Sequence, residues 1–97
     1  MSSNAAPWRR WYKTARWQRL RERILVRDGY VCQATGEPLV GRHPAPNSPT
    51  VDHITAHRGN EALFWDQENL RAVSKAWHDK HKQVEEQASV AQRGVWD

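Results

Sequence analysis

Trp17, Leu20 and Ile24 recur at steps of three and four residues, while Arg16, Arg19, Arg21 and Arg23 fall mostly between them. An apolar stripe of that period predicts a helix with one buried face. Thr14 stands before the stripe as a capping hydroxyl and Gly29 after it as a stop, so the helix is expected over residues 14–28. Thr35-Gly36-Glu37-Pro38 is a turn signal, and the prolines and Asn47 of residues 43–49 read as a loop. The period then changes. Residues 50–54 read as a strand that ends at the pair Asp52-His53, residues 57–68 as a connection holding the apolar run Leu63-Phe64-Trp65, and residues 70–73 as a second short strand. Ser74 can cap a last helix reaching about residue 88, with Trp77, Val84 and Ala88 on one stripe. This order predicts an α+β domain. The expected division is a flexible basic and aromatic arm over 1–11, a folded domain over 12–88 and a mobile tail over 89–97.

Composition changes the picture in two places. Six Trp in 97 residues supply much of the available core, since each can bury about 150–250 Å². The net charge of +4 and pI near 9.7 suit a polyanionic partner, although a merely soluble basic domain has the same balance. Trp8, Arg9, Arg10, Trp11, Tyr12, Lys13, Arg16 and Trp17 interleave basic and aromatic groups, which can track a phosphate backbone and stack on bases. The rival reading packs the Trp residues under the domain and leaves the cations solvated. A mixture of the two makes Arg9, Arg10, Lys13, Arg16, Arg19, Arg23 and Arg58 the candidate DNA contacts. Cys32 is the single cysteine, so no internal disulfide is possible and a reducing, cytoplasmic setting is expected. The first residues lack the apolar run of a signal peptide, and no stretch approaches the roughly 18–20 apolar residues of a membrane span.

The candidate chemistry lies in Val51-Asp52-His53-Ile54, Asn69 and His78. A carboxylate and an imidazole can hold a divalent metal, a second imidazole can take a proton from water, and an amide can brace the loop between them. Adjacent residues on a regular strand point to opposite faces, so Asp52 and His53 can serve different sides. Taken singly, each has an ordinary alternative. His53 could be a hydrogen-bonded surface imidazole, Asn69 a turn residue and His78 a plain helix residue.

Over residues 12–82 the text resembles the small phage and prophage HNH endonucleases. The matching stretches are Tyr12-Lys13-Thr14-Ala15-Arg16-Trp17, Leu25-Val26-Arg27-Asp28-Gly29-Tyr30-Val31-Cys32-Gln33, Val51-Asp52-His53-Ile54, His57-Arg58-Gly59-Asn60, Leu63-Phe64-Trp65-Asp66, Glu68-Asn69-Leu70 and His78-Asp79-Lys80. The resemblance implies a ββα-metal core with an additional N-terminal helix. It implies metal-dependent nicking or cleavage of double-stranded DNA, leaving a 5′-phosphate and a 3′-hydroxyl. Carried over residue by residue, it makes His53 the general base, Asp52 and His78 the ligands of one divalent ion (Mg²⁺, Mn²⁺ or Ni²⁺), and Asn69 the loop brace. His57 is an auxiliary candidate, for phosphate or for the metal loop, with an exposed loop residue as the alternative. His81 is an auxiliary metal candidate, with a solvated helix residue as the alternative. A bacterial host cytoplasm and a phage packaging ATPase as partner fit the same resemblance. The alternative function is a non-catalytic DNA-binding or packaging-accessory domain that keeps the HNH shape.

One departure is large. Relatives hold a structural zinc with two Cys-x-x-Cys pairs, but here the pairs read Cys32-Gln33-Ala34-Thr35 and Ser74-Lys75-Ala76-Trp77. One soft ligand cannot close a tetrahedral zinc site, so no structural zinc is expected. The expectation is instead that Cys32 is a small buried hydrophobe, that the four positions stay close together, and that Trp77 fills the space as a buried side chain.

Overall fold

The computed structural model describes residues 7–88. A 3-10 helix, Pro7–Lys13, leads into α1, Ala15–Arg27. Then come β1, Pro49–His53; a short α2, Glu61–Trp65; a 3-10 turn, Gln67–Asn69; β2, Leu70–Ser74; and α3, Lys75–Ala88. The chain is thus an α+β domain with one two-stranded antiparallel sheet. Residues 1–6 of the expected arm and the expected tail, 89–97, lie outside the described residues, as do the side chains of Val84 and Ala88 on the expected α3 stripe.

Thr14 caps α1 as its position suggests. Its hydroxyl accepts the Trp17 N–H at 3.1 Å and donates to the Trp11 carbonyl at 2.7 Å. Gly29 ends the helix with φ of +68°, a left-handed turn that carries little strain without a Cβ. Trp17, Leu20, Ile24 and Leu25 pack from α1 onto Val51 of β1, Leu70, Ala72 and Val73 of β2, and Phe64 of α2. Cys32 and Leu39 join this core from a tight knuckle over residues 30–39, closed by the Leu39 N–H donating to the Tyr30 carbonyl at 2.8 Å. There Val31 bridges Pro38, and the Gln33 N–H donates to the Ala72 carbonyl at 2.9 Å.

Two expectations change. The sequence predicts a flexible arm over residues 1–11, but its described part, 7–11, is helical and Trp8 is buried. Burying an indole on the domain outweighs the freedom of five residues. The connection over 57–68 contains a helix that its apolar run did not announce. Asn60 caps it by accepting the Leu63 N–H at 3.1 Å. Among the described residues, no helix is long and apolar enough to cross a membrane.

Candidate functional site

Strand alternation separates Asp52 from His53. In the ladder Asp52 lies opposite Arg71 and His53 opposite Leu70. The Asp52 side chain points toward α3. Its Oδ1 accepts from Arg71 Nε at 3.2 Å, and its Oδ2 lies 3.7 Å from His78 Nδ1. That second distance is too long for a hydrogen bond. His78 Nδ1 is nevertheless buried, and it has no hydrogen-bond partner among the described residues. A buried nitrogen left unsatisfied beside a carboxylate oxygen suits a bound cation. Two ligand atoms, each about 2.1 Å from one ion, can stand up to about 4.2 Å apart, so 3.7 Å fits one ion between them. Among the described residues no group of three or more His, Cys, Asp and Glu side chains converges in this way. With these two residues as ligands, water or a substrate phosphate would complete the shell, as is usual for Mg²⁺.

His53 turns to the other side, into an aromatic cluster centred on Phe64. Ring centroids of Trp11, Tyr12, Trp17, His53, His57 and Trp65 all lie 4.8–5.1 Å from that of Phe64. His53 Nε2 lies 3.1 Å from the Phe64 carbonyl oxygen. A carbonyl only accepts, so Nε2 carries the proton and the neutral ring has its lone pair on Nδ1. Phe64 thus orients His53 twice, by ring contact and by hydrogen bond. Only 4 % of the His53 surface is exposed.

Asn69 sits where the loop between the strands closes. Its Oδ1 accepts the Thr55 N–H at 2.8 Å, and its Nδ2 donates to the carbonyls of Thr55 at 3.0 Å and Leu63 at 3.1 Å. It is buried, and its amide ties both ends of the 55–63 loop to the start of β2.

The auxiliary histidines go elsewhere. His57, expected to contact phosphate or support the metal loop, or else to be an exposed loop residue, is 1 % exposed. Its Nδ1 accepts the Gly59 N–H at 2.9 Å, its Nε2 lies 3.3 Å from the Tyr12 hydroxyl, and its ring meets Trp8 edge-on at 4.8 Å. Burial follows because both nitrogens find partners inside. His81 stacks on Trp77 at 4.6 Å, and Arg71 covers the same indole at 4.7 Å.

Trp77 is half-buried, not the buried filler expected: it packs against the core, while Arg71 and His81 also contact its ring. The four positions are nonetheless neighbours. The Thr35 side chain and the backbone at Ser74 both hydrogen-bond to the Cys32 sulfur, and Ser74 Oγ accepts the Trp77 N–H at 3.1 Å. Burial alone would push the Cys32 thiol up, but these contacts, with backbone groups of Ala34 and Thr35, outweigh it and hold the thiol below its ordinary range.

Arg9, Arg10, Lys13, Arg16, Arg19, Arg23 and Arg58 are all exposed. Arg9 lies over Trp8 and Arg16 over Trp65. Sequence reasoning missed Arg71 as the partner of Asp52 and Phe64 as the orienting group of His53. The first could have been found by pairing the two strands with Asp52 opposite Arg71; the second had no local signal. No protein-family model, curated protein or solved structure matches this chain.

Proposed function

We propose that this chain is a metal-dependent HNH-type endonuclease with a ββα-metal core made by β1, β2 and α3, acting on double-stranded DNA. One observation carries the reading: His78 Nδ1, buried and without a hydrogen-bond partner among the described residues, faces Asp52 Oδ2 at 3.7 Å. Asp52 and His78 would hold one Mg²⁺, Mn²⁺ or Ni²⁺. Such an ion supplies charge stabilisation for the departing 3′-oxygen. His53, held through Nε2 by the Phe64 carbonyl, takes a proton from water at Nδ1. The water oxygen forms the new bond to phosphorus as the bond to the 3′-oxygen breaks. The products are a 5′-phosphate and, after proton uptake from solvent, a 3′-hydroxyl. Arg71 Nε, donating to Asp52 Oδ1 at 3.2 Å, keeps that carboxylate aimed, and Asn69 holds the loop that carries Phe64. Work in a bacterial host cytoplasm beside a phage packaging ATPase is consistent with it.

The burial of His53 favours a second reading, in which the domain binds DNA without cutting it and the imidazole is only part of the core. Supercoiled-plasmid nicking separates the two. The nuclease reading expects relaxation of plasmid with Mg²⁺, Mn²⁺ or Ni²⁺, none in EDTA, and a loss of about 10²–10⁴ in His53→Ala with duplex binding kept. Nicking by His53→Ala at the parent rate would remove His53 as the base. DNA binding with no nicking under any of these ions would favour the second reading.

A further inference from the structure

Arg16, Arg19, Arg23 and Arg27 follow one another at three- and four-residue steps, so they line one flank of α1 beside its buried stripe. Arg27 is used up internally. Its Nη1 donates to the Gln67 carbonyl at 2.9 Å and its Nη2 to the Leu70 carbonyl at 2.7 Å, which pins the turn after α2 against the helix. The other three remain along a cleft of about 220 Å³ between α1 and that turn, lined by Arg16, Arg19, Leu20, Arg23, Trp65 and Gln67. Among the described residues no carboxylate lines it. Asp66 and Glu68 flank the turn, but Asp66 Oδ1 is engaged by the Glu68 N–H, and the Glu68 charge acts on Arg27. Among the described residues, Arg16, Arg19 and Arg23 have no ion-pair partner. Three like charges within two helical turns repel each other, and an anion between them relieves the repulsion.

Arg16 is also prepared for such an anion. Its guanidinium carbon lies 3.8 Å from the centre of the Trp65 ring. A guanidinium held this close over an indole loses rotamer freedom in advance, and its planar fork of N–H groups suits phosphate oxygens taken in pairs. Arg16 to Arg23 spans about 10 Å of helix, the axial length of about three phosphate steps along one strand.

We infer that this cleft is an anchor for the phosphate backbone of duplex DNA, with Arg16 as its pre-set contact and Trp65 as the residue that positions Arg16. The choice of DNA rests on the proposed function; the anchor itself needs no cleavage. The test is binding of a fluorescent 20-base-pair duplex in EDTA across a salt series, with thermal melts to confirm folding. Arg16→Ala, Arg19→Ala and Arg23→Ala should each flatten the plot of log affinity against log salt by about 0.9. Arg42→Ala, an exposed cation of another loop, should leave the slope unchanged. Arg16→Lys and Trp65→Phe should each keep the slope yet weaken binding, and the double variant should be no weaker than either alone, since both break one stack. Equal flattening by Arg42→Ala, unchanged slopes in the three alanine variants, or additive losses in the double variant would overturn the anchor. So would saturable binding of inorganic pyrophosphate that leaves duplex binding unaffected, which would make this a small-anion site. Failure of nicking with these slopes intact would sink the nuclease reading alone; nicking with unchanged slopes would sink the anchor alone.

Discussion

Asn69 and Thr55 exchange two hydrogen bonds through a side chain that acts as a strand would. Asn69 Oδ1 accepts from Thr55 N–H at 2.8 Å and Asn69 Nδ2 donates to Thr55 O at 3.0 Å. The Ile54 N–H donates to the Asn69 backbone carbonyl at 2.8 Å, so the ladder of β1 and β2 is continued past its end by an amide. Asn69→Ala leaves these loop groups unsatisfied and should cost about 2 kcal/mol or more by chemical denaturation. Asn69→Asp keeps the acceptor but sets a buried carboxylate oxygen against the Thr55 and Leu63 carbonyls, so it should cost at least as much. A stability within error of the parent for both would show that the loop does not depend on the amide.

Metal binding should appear as heat resistance. An ion that binds only the folded chain, at one hundred times its Kd, adds about 2.7 kcal/mol, or about 10 °C or more for a domain of this size. Mn²⁺ or Ni²⁺ should raise the melting temperature of the parent in this way and fail to do so in His78→Ala or Asp52→Asn. An equal rise in both variants would place the ion elsewhere.

Asp28 should govern the acid side of the stability curve. Burial alone would push its carboxyl up, but hydrogen bonds from Arg27 and the Ala72 N–H, with the Arg27 charge, outweigh burial and hold it below the usual carboxylate range. A folded pKa below the unfolded one gives stability that is full above the unfolded value and is lost as pH falls through the folded one. Asp28→Asn should therefore lose about 1–3 kcal/mol at pH 7 and show a flatter decline below about pH 4. Parallel curves for the two proteins would assign the acid transition to other groups.

Gly59 is held at φ of +84°, and a Cβ there would lie 3.1 Å from Trp8 Cδ1. Gly59→Ala should cost about 1–2 kcal/mol in backbone strain alone and should alter Trp emission as the Trp8 indole shifts. An unchanged melting temperature would mean that the turn relaxes freely.

How far the sequence foretold this arrangement depended on whether the deciding contact was local. The helix α1 was legible because its stripe, its Thr14 cap and its Gly29 stop all lie within one stretch, and Ser74 marked the start of α3 for the same reason. The short α2 was missed because Glu61–Trp65 is one turn long and its apolar run has no period, although Asn60 was a readable cap. Of the candidate site, the alternation of Asp52 and His53 followed from strand geometry. The burial of His57 did not, because its partner Tyr12 is 45 residues away in sequence. Trp77 is bulky but only half-buried, because its ring also meets Arg71 and His81, contacts that no local pattern announces.

The seat of Trp8 on the 57–59 turn sets a rule about length. Trp8 reaches that turn through a 3-10 helix whose far end is fixed by the Thr14 bond to Trp11, about two turns away. Each residue in such a helix turns the chain by about 120°, so one residue inserted or removed between Trp8 and Thr14 would swing the indole to another side. His57 would lose its ring neighbour, and the packing around His53 would loosen with it. Substitution among the exposed cations of this segment is open, but its residue count is not. It behaves as a spacer of set length whose far end is a structural wedge.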